Sequence, residues 1–152
     1  MHKYNTAAFS SETQKKEHFS SKEAVFNSLV VQPVLEERQS REIADEVICL
    51  TKLPKGWDGY RGVPVKPQNA WFALDLIKSL CALGVSKPHV VPGSGGEVQL
   101  EWHTKEQDVE LLVNEPYKVS AYRFEVETEE EEEIDLTVQY SKVVEWFNDI
   151  KI

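Results

Sequence analysis

Glu101, His103 and Asp108 flank one turn in the sequence, and these three residue types are suited to acid–base chemistry. If the turn joins two neighbouring strands, a carboxylate lies beside the imidazole and can polarise it. No nucleophile accompanies the group, and charged side chains of this kind also decorate wet surfaces. We therefore predict no catalytic residues. The enzymatic alternative is a small hydrolase or transferase that uses Glu101, His103 and Asp58.

Metal, thiol and phosphate chemistry have little support in the sequence. His89 and His103 are fourteen residues apart, and neither cysteine pairs with a histidine at the short spacing of a zinc site. Cys49 and Cys81 fall on the apolar stripes of predicted helices, where they act as small hydrophobic residues. The run Pro92–Gly96 lacks the lysine and the helix of a phosphate-binding loop, so it predicts a turn. We expect no metal and no cofactor.

The most concentrated chemical feature is an acidic segment at residues 125–135. Eight of its eleven residues are carboxylates and none is basic: Glu125, Glu127, Glu129, Glu130, Glu131, Glu132, Glu133 and Asp135. The chain of 152 residues has a net charge of -9, yet outside this segment it contains 18 acidic and 17 basic residues. Such a run is either a solvated loop or a docking surface for a basic partner. We predict the docking surface, with these eight residues as its contacts.

A loop of unusual composition lies at residues 54–64 and holds three glycines, two prolines and two aromatic residues. Trp57 can pack under a sheet there, and Asp58 can accept from backbone N–H groups. The alternative is that Trp57, Asp58 and Tyr60 face a partner, since aromatic residues with a polar atom are common at interfaces. Both interpretations stay open, and these three residues join the candidate partner-binding set.

The elements that must position these residues follow from hydrophobic periodicity. Helical spacing predicts a helix after Pro33 and a second helix from Pro67 that ends before Gly84. From about residue 87 the period changes to two, which predicts strands around residues 98–103, 108–113 and 122–127. Residues 143–150 predict a closing helix, and residues 134–138 are either a strand or the first turns of that helix.

Helices first and strands afterwards indicate an α+β fold. We expect two to three N-terminal helices packed on one face of a three- to four-stranded antiparallel meander, with a closing C-terminal helix. Tyr122 and Phe124 are predicted on the apolar face, and Glu101 and Glu110 on an opposite face that is wet and negative. The core is expected to include four tryptophans: Trp57, Trp71, Trp102 and Trp146.

Length and composition indicate the organisation of the chain and its compartment. Residues 1–32 are predicted to be a polar tail with a short helical arm, and residues 33–152 a single α+β domain. No apolar run approaches the ~20 residues of a membrane span, and the N-terminus does not resemble a signal peptide, so we expect a cytoplasmic protein without membrane association. The negative charge and dispersed bases argue against direct binding to nucleic acid.

Two motifs resemble those of a family of small bacterial and phage proteins. The first is Leu-Pro-Lys-Gly-Trp-Asp-Gly-Tyr at residues 53–60, followed by Pro64, and the second is Gly-Glu-Val-Gln-Leu-Glu-Trp at residues 96–102. In that family a Gly-Trp-Asp-Gly loop joins two helices and a later strand carries Glu-Trp. The match spans roughly residues 46–125. It implies the helix pair and the start of the meander, and it brings no catalytic residues.

The sequence therefore favours a non-enzymatic acidic module that inhibits or neutralises a basic protein, and we expect the target to be a nucleic-acid-binding protein. Its carboxylates would imitate the charge spacing of a phosphate backbone. Antitoxins, immunity proteins and phage anti-defence inhibitors such as anti-CRISPR proteins act in this way, by analogy. A further alternative is an accessory subunit or a homodimer, held by the predicted arm at residues 25–31.

Overall fold

The computed structural model describes residues 37–148, of which residues 40–148 belong to one compact unit of the chain. The predicted tail and its helical arm lie outside the described residues. Within them, helices precede strands and a last helix closes the chain, which confirms the α+β class. No helix in this part of the chain is long and apolar enough to cross a membrane.

The first helix, α1, covers residues 37–50 and forms because apolar residues recur one turn apart. Ile43 and Val47 are buried, and Leu50 packs against the same core. The helix ends in a turn in which the Thr51 hydroxyl donates to the carbonyl of Ile48 at 2.7 Å. The start that the sequence predicts for this helix lies outside the described residues.

The second helix, α2, runs from Pro67 to Ala82 and has proline in its first turn, where the missing N–H costs nothing. Its end is fixed by Gly84, which has a φ of 91°. The Gly84 N–H donates to the Cys81 carbonyl at 3.0 Å, and the Val85 N–H donates to the Leu80 carbonyl at 3.1 Å. This pair of bonds is a Schellman motif, and it confirms the predicted bounds of the helix.

The strands form a meander in which each strand pairs with its neighbours in sequence. In chain order they are β1 (His89–Pro92), β2 (Val98–His103), β3 (Gln107–Glu115), β4 (Lys118–Glu125) and β5 (Glu130–Leu136). The order in the sheet is the same, and all four pairings are antiparallel. The final helix, α3 (Ser141–Asn148), follows β5. The described sheet thus has five strands where the sequence predicts three to four, because β1 and β5 add an edge on each side.

The helices cover one face of this sheet, which we call the inner face. α2 packs on β2 and β3. The inner positions of β2, β3 and the first half of β4 are at most 4% exposed: Val98, Leu100, Trp102, Val109, Leu111, Val113, Val119 and Ala121. Farther along the same face, α3 contributes the fully buried Trp146, whose carbonyl accepts from Gln107 Nε2 at 2.8 Å.

Some predicted core positions are wrong. β4 directs Val119 and Ala121 inward, where they pair with Val113 and Leu111, so Tyr122 and Phe124 lie on the other face. Trp71 is 66% exposed because α2 buries its neighbours Ala70, Ala73 and Leu74 instead. Cys49 and Cys81 are likewise exposed on their helices. Trp102 and Trp146 are buried as predicted, and Trp57 is half-buried.

Candidate functional site

The face of the sheet opposite the inner face carries no helix among the described residues, and we call it the open face. On β2 its residues Gln99, Glu101 and His103 alternate with buried positions, because successive side chains of a strand point to opposite faces. Register extends the same alternation across β3, β4 and β5. The wet, negative face predicted from β2 and β3 is therefore confirmed, and β5 enlarges it.

Besides Glu115, which register places opposite Lys118, six open-face residues are carboxylates, and they lie on three of the strands: Glu101, Asp108, Glu110, Glu131, Glu133 and Asp135. Among the described strand residues, Lys118 is the one lysine or arginine that the alternation places on this face. It lies at the hairpin end and binds Glu115, with Lys118 Nζ 2.9 Å from Glu115 Oε2. The rest of the face therefore has no interspersed lysine or arginine to neutralise its carboxylates.

The centre of the open face places like charges side by side. Glu101 lies directly opposite Glu110 on the neighbouring strand, and such a pairing of like charges is destabilising. Gln99 partly offsets the repulsion, since its Nε2 donates to Glu101 and to Glu110, each at 3.0 Å. On the far side of Glu110 lies Tyr122. Burial, and then the neighbouring Glu131, raise the pKa of the Tyr122 phenol.

A histidine held by two carboxylates occupies a corner of this face. His103 Nδ1 lies 2.9 Å from Asp108 Oδ1, and His103 Nε2 lies 3.3 Å from Glu101 Oε2. The hydrogen bond to Asp108, and next that to Glu101, raise the pKa of the imidazole. The sequence prediction that a turn brings His103 beside a carboxylate is confirmed, and in fact two carboxylates meet it.

The acidic segment predicted as a docking surface is a β-hairpin rather than a loop. Glu125 ends β4, while Glu127 and Glu129 lie in the turn, where Glu129 has a φ of 57°. The remaining acidic residues are in β5, and they alternate between the faces of the sheet: Glu131, Glu133 and Asp135 on the open face, and Glu130 and Glu132 on the inner face. Most of the segment therefore forms strand, and its charge is divided between two surfaces.

On the inner face, part of this segment serves the fold. Glu132 Oε2 accepts from the indole N–H of Trp146 at 3.0 Å, and Glu132 Oε1 lies 3.5 Å from Lys142 Nζ. These bonds attach α3 to the edge of the sheet. Next to them is an open cleft of about 410 Å³, lined by one arginine and four glutamate residues: Arg123, Glu125, Glu130, Glu131 and Glu132.

The glycine- and proline-rich loop at residues 54–64 uses its polar groups internally. Asp58 Oδ1 accepts from the backbone N–H of Tyr60 at 2.9 Å and of Gly62 at 2.8 Å. These two bonds hold the pKa of Asp58 below its usual value. The indole N–H of Trp57 donates to the Val63 carbonyl at 2.9 Å. Both side chains therefore shape the loop. For Asp58 this is what the first of the two sequence interpretations expects, whereas Trp57 bonds to its own loop.

Tight packing explains Gly62, which lies near the end of this loop, and leaves Tyr60 outside it. A Cβ at position 62 would lie within 3 Å of the side chains of Asp58 and Trp57. Tyr60 is 77% exposed, with the Arg61 guanidinium 5.1 Å from the centre of its ring. Of the three candidate residues in the loop, Tyr60 has the most side-chain surface available for a partner.

Asp58 does not join Glu101 and His103. The loop is attached to the β1–β2 turn, where the Val63 N–H donates to the Ser94 carbonyl at 2.9 Å. That turn precedes Val98 at one end of β2, and His103 lies at the other end, about 17 Å away at the usual rise of a strand. The pocket expected for the enzymatic alternative is therefore not formed. No group of three or more His, Cys, Asp or Glu side chains in residues 37–148 is placed so that it could hold a metal ion.

Sequence reasoning placed the half-buried Tyr122 and Phe124 on the wrong face of the sheet. The signal for them was the alternation of Val119 and Ala121, which fixes the phase of β4 from its first residues. Comparison with known proteins adds no further residue: no family model, no curated protein and no solved structure matches this chain. The resemblance drawn from the Gly-Trp-Asp-Gly loop stays a prediction.

Proposed function

We propose that this chain is a non-enzymatic acidic module that binds a basic protein and inhibits or neutralises it. The observation that supports the proposal most directly is the open face, on which six carboxylates are not interspersed with lysine or arginine. Glu101 opposite Glu110 weakens the sheet rather than stabilising it. A cationic surface placed on this face would relieve that repulsion, and complementary charge speeds encounter and selects the partner.

The same face offers apolar contact between its charges. Leu112, Tyr122 and Phe124 lie on it and are half-buried. Interfaces combine such aromatic and aliphatic contacts with a charged, hydrated rim. This mixture suits a folded protein partner better than a loose cloud of counterions.

The chemistry of the face indicates the class of partner. A partner that binds these carboxylates needs a surface rich in lysine and arginine. Proteins use the same kind of surface to bind the phosphate backbone of nucleic acids. We therefore propose a nucleic-acid-binding protein as the target, and the cytoplasm of a bacterium or of a phage-infected bacterium as the compartment. Antitoxins and phage anti-defence inhibitors, anti-CRISPR proteins among them, are the biological roles that fit this chemistry.

The test compares two variants that lose the same charge from different places. The open-face variant combines Glu101→Gln, Glu110→Gln and Glu133→Gln, which form one row across the sheet. The control combines Asp45→Asn, Asp75→Asn and Glu145→Gln, exposed positions on the three helices. Each immobilised full-length protein is exposed to a bacterial lysate at about 0.05 M and about 0.5 M salt, and captured proteins are identified by mass spectrometry.

We expect wild type and control to capture the same basic protein at low salt and to release it at high salt. Once that protein is purified, its dissociation constant for the open-face variant should be severalfold weaker than for the control. Equal affinity of the two variants, or capture that salt does not weaken, would contradict the proposal.

A further inference from the structure

The two edge strands of the sheet, β1 and β5, differ in how well they are protected against pairing with another strand. β1 has four residues, ends at Pro92 and follows Pro88, and proline has no N–H to offer a neighbouring strand. β5 has seven residues and no proline, and it pairs with β4 at seven consecutive positions without a bulge. Shortness, proline and bulges protect an edge against the addition of another strand. β5 has none of these three protections. It does have charge, which also protects an edge, but five of its seven residues are carboxylates and none is basic, so its charge repels an acidic or identical strand and attracts a basic one.

The outer side of β5 is not paired within the described part of the chain. The sheet ends at β5 there. Apart from the ladder with β4, its backbone makes one hydrogen bond to a described residue, in which the Glu130 N–H donates to Thr128 Oγ1 at 3.4 Å. A row of such backbone donors and acceptors can bind an extended segment of another protein as an additional strand.

The side chains of β5 indicate which extended segment fits. Glu131, Glu133 and Asp135 lie on the open face, whereas Glu132 on the inner face is already bound to α3. An added strand places alternate side chains on each face, and opposite charges across two strands stabilise the pair. A segment with lysine or arginine at alternate positions therefore matches the open-face carboxylates. A second copy of β5 would oppose glutamate to glutamate and is disfavoured.

We infer that the basic partner adds an extended, lysine- or arginine-rich segment to the outer edge of β5 as a sixth, antiparallel strand, with its basic side chains over the open face. This inference rests on the proposed function, because it specifies how the basic partner is held. Backbone bonds supply the alignment, and the carboxylates select a basic segment over an acidic one.

The experiment uses the full chain and a labelled peptide of about twelve residues in which lysine and threonine alternate. Two derivatives have the same charge: one is N-methylated at every lysine, the other at every threonine. A strand turns the N–H groups of alternate residues toward one neighbour, so one set of N–H groups faces β5 and the other faces solvent. Affinities are measured by fluorescence anisotropy, and hydrogen exchange of the chain is followed with the unmethylated peptide bound.

We expect the unmethylated peptide and one derivative to bind alike, while the other derivative binds at least tenfold more weakly. Exchange should slow in β5 and stay unchanged in β1. Glu131→Gln with Glu133→Gln should weaken binding severalfold, and the control Asp75→Asn with Glu145→Gln should not.

Equal affinity of both derivatives, loss of binding by both, or absence of binding by the unmethylated peptide would each overturn the strand addition. These results leave the proposed function to its own test, because a folded basic partner can still bind the open face without adding a strand. A mixed result is also informative. If the open-face variant and its control capture the basic protein equally, the proposed function is contradicted. If in the same set of experiments only one methylated derivative fails to bind, the β5 edge is still a peptide-binding site.

Discussion

The inner and open faces of the sheet are built from alternate residues of the same strands, and they follow opposite rules. Leu111 on the inner face of β3 is fully buried beneath the helices. Its neighbours on the open face, Glu110 and Leu112, are half-buried, and Glu110 faces Glu101 directly. The inner face has the composition that stability requires. The open face does not, since a sheet selected for stability alone would alternate charges of opposite sign.

The largest effect expected from this comparison is on stability. Leu111→Ala removes buried side-chain volume and leaves a cavity, so it should lower the free energy of unfolding by about 2–5 kcal/mol. Leu112→Ala, one residue along and on the other face, should cost about 1 kcal/mol or less. Urea unfolding followed by tryptophan fluorescence measures both variants. Similar losses for the two would contradict the division of the sheet into one packed face and one open face.

A smaller effect of the opposite sign is expected at the centre of the open face. Glu110→Gln removes the repulsion with Glu101 while an amide oxygen can still accept from Gln99. The free energy of unfolding should rise by about 0.2–1 kcal/mol at low salt, and the gain should shrink as salt screens the pair. Asp75→Asn on α2 is the matched control and should change little. A loss of stability in Glu110→Gln would show that this carboxylate serves the fold.

The smallest effect is local and concerns His103 at the corner of the open face. The pKa of His103 should exceed its ordinary value of 6.5, and Asp108→Asn should lower it, because the bond to Asp108 is the largest cause of the shift. An NMR titration of the imidazole measures both values. An unchanged pKa in the variant would show that Asp108 does not hold the ring.

This shift also gives the sign of a pH dependence. A folded pKa above the unfolded one means that the protonated His103 stabilises the fold below about pH 6.5, and that this contribution is lost as the pH rises through the folded pKa. Stability measured across that window should fall with pH in wild type. It should fall less in Asp108→Asn.

Hydrophobic periodicity was sufficient to predict the helices and strands that bury one regular stripe of apolar residues. The bounds of α2 follow from Pro67 and Gly84, and the alternation of β2 follows from Val98, Leu100 and Trp102. β4 was assigned the wrong phase, because Tyr122 and Phe124 in its second half have the spacing of a buried face and were given more weight than Val119 and Ala121 in its first half. The pairing of Val119 with Val113 shows that the first half sets the inward face.

The acidic segment shows a second limit of sequence reasoning. Consecutive glutamates have low strand propensity, and a run of like charge normally predicts a solvated loop. β5 forms nevertheless because Ile134 and Leu136 pack against the core and because Glu132 binds Trp146. These are tertiary contacts with distant residues, which local composition does not contain. The position of the negative charge was therefore predictable, and its division between two faces was not.

The agreement between chain order and sheet order has a consequence for how this protein folds. Each strand finds its neighbour across a short turn, so the entropy lost in closing each loop is small. Proteins dominated by such local pairings fold faster than sheets assembled from distant segments. β2, β3 and β4 can pair without β5, which needs β4 as its template. β5 is also the last of the five strands in the chain, so it is synthesised last. We therefore expect the acidic strand to join a sheet that has already formed.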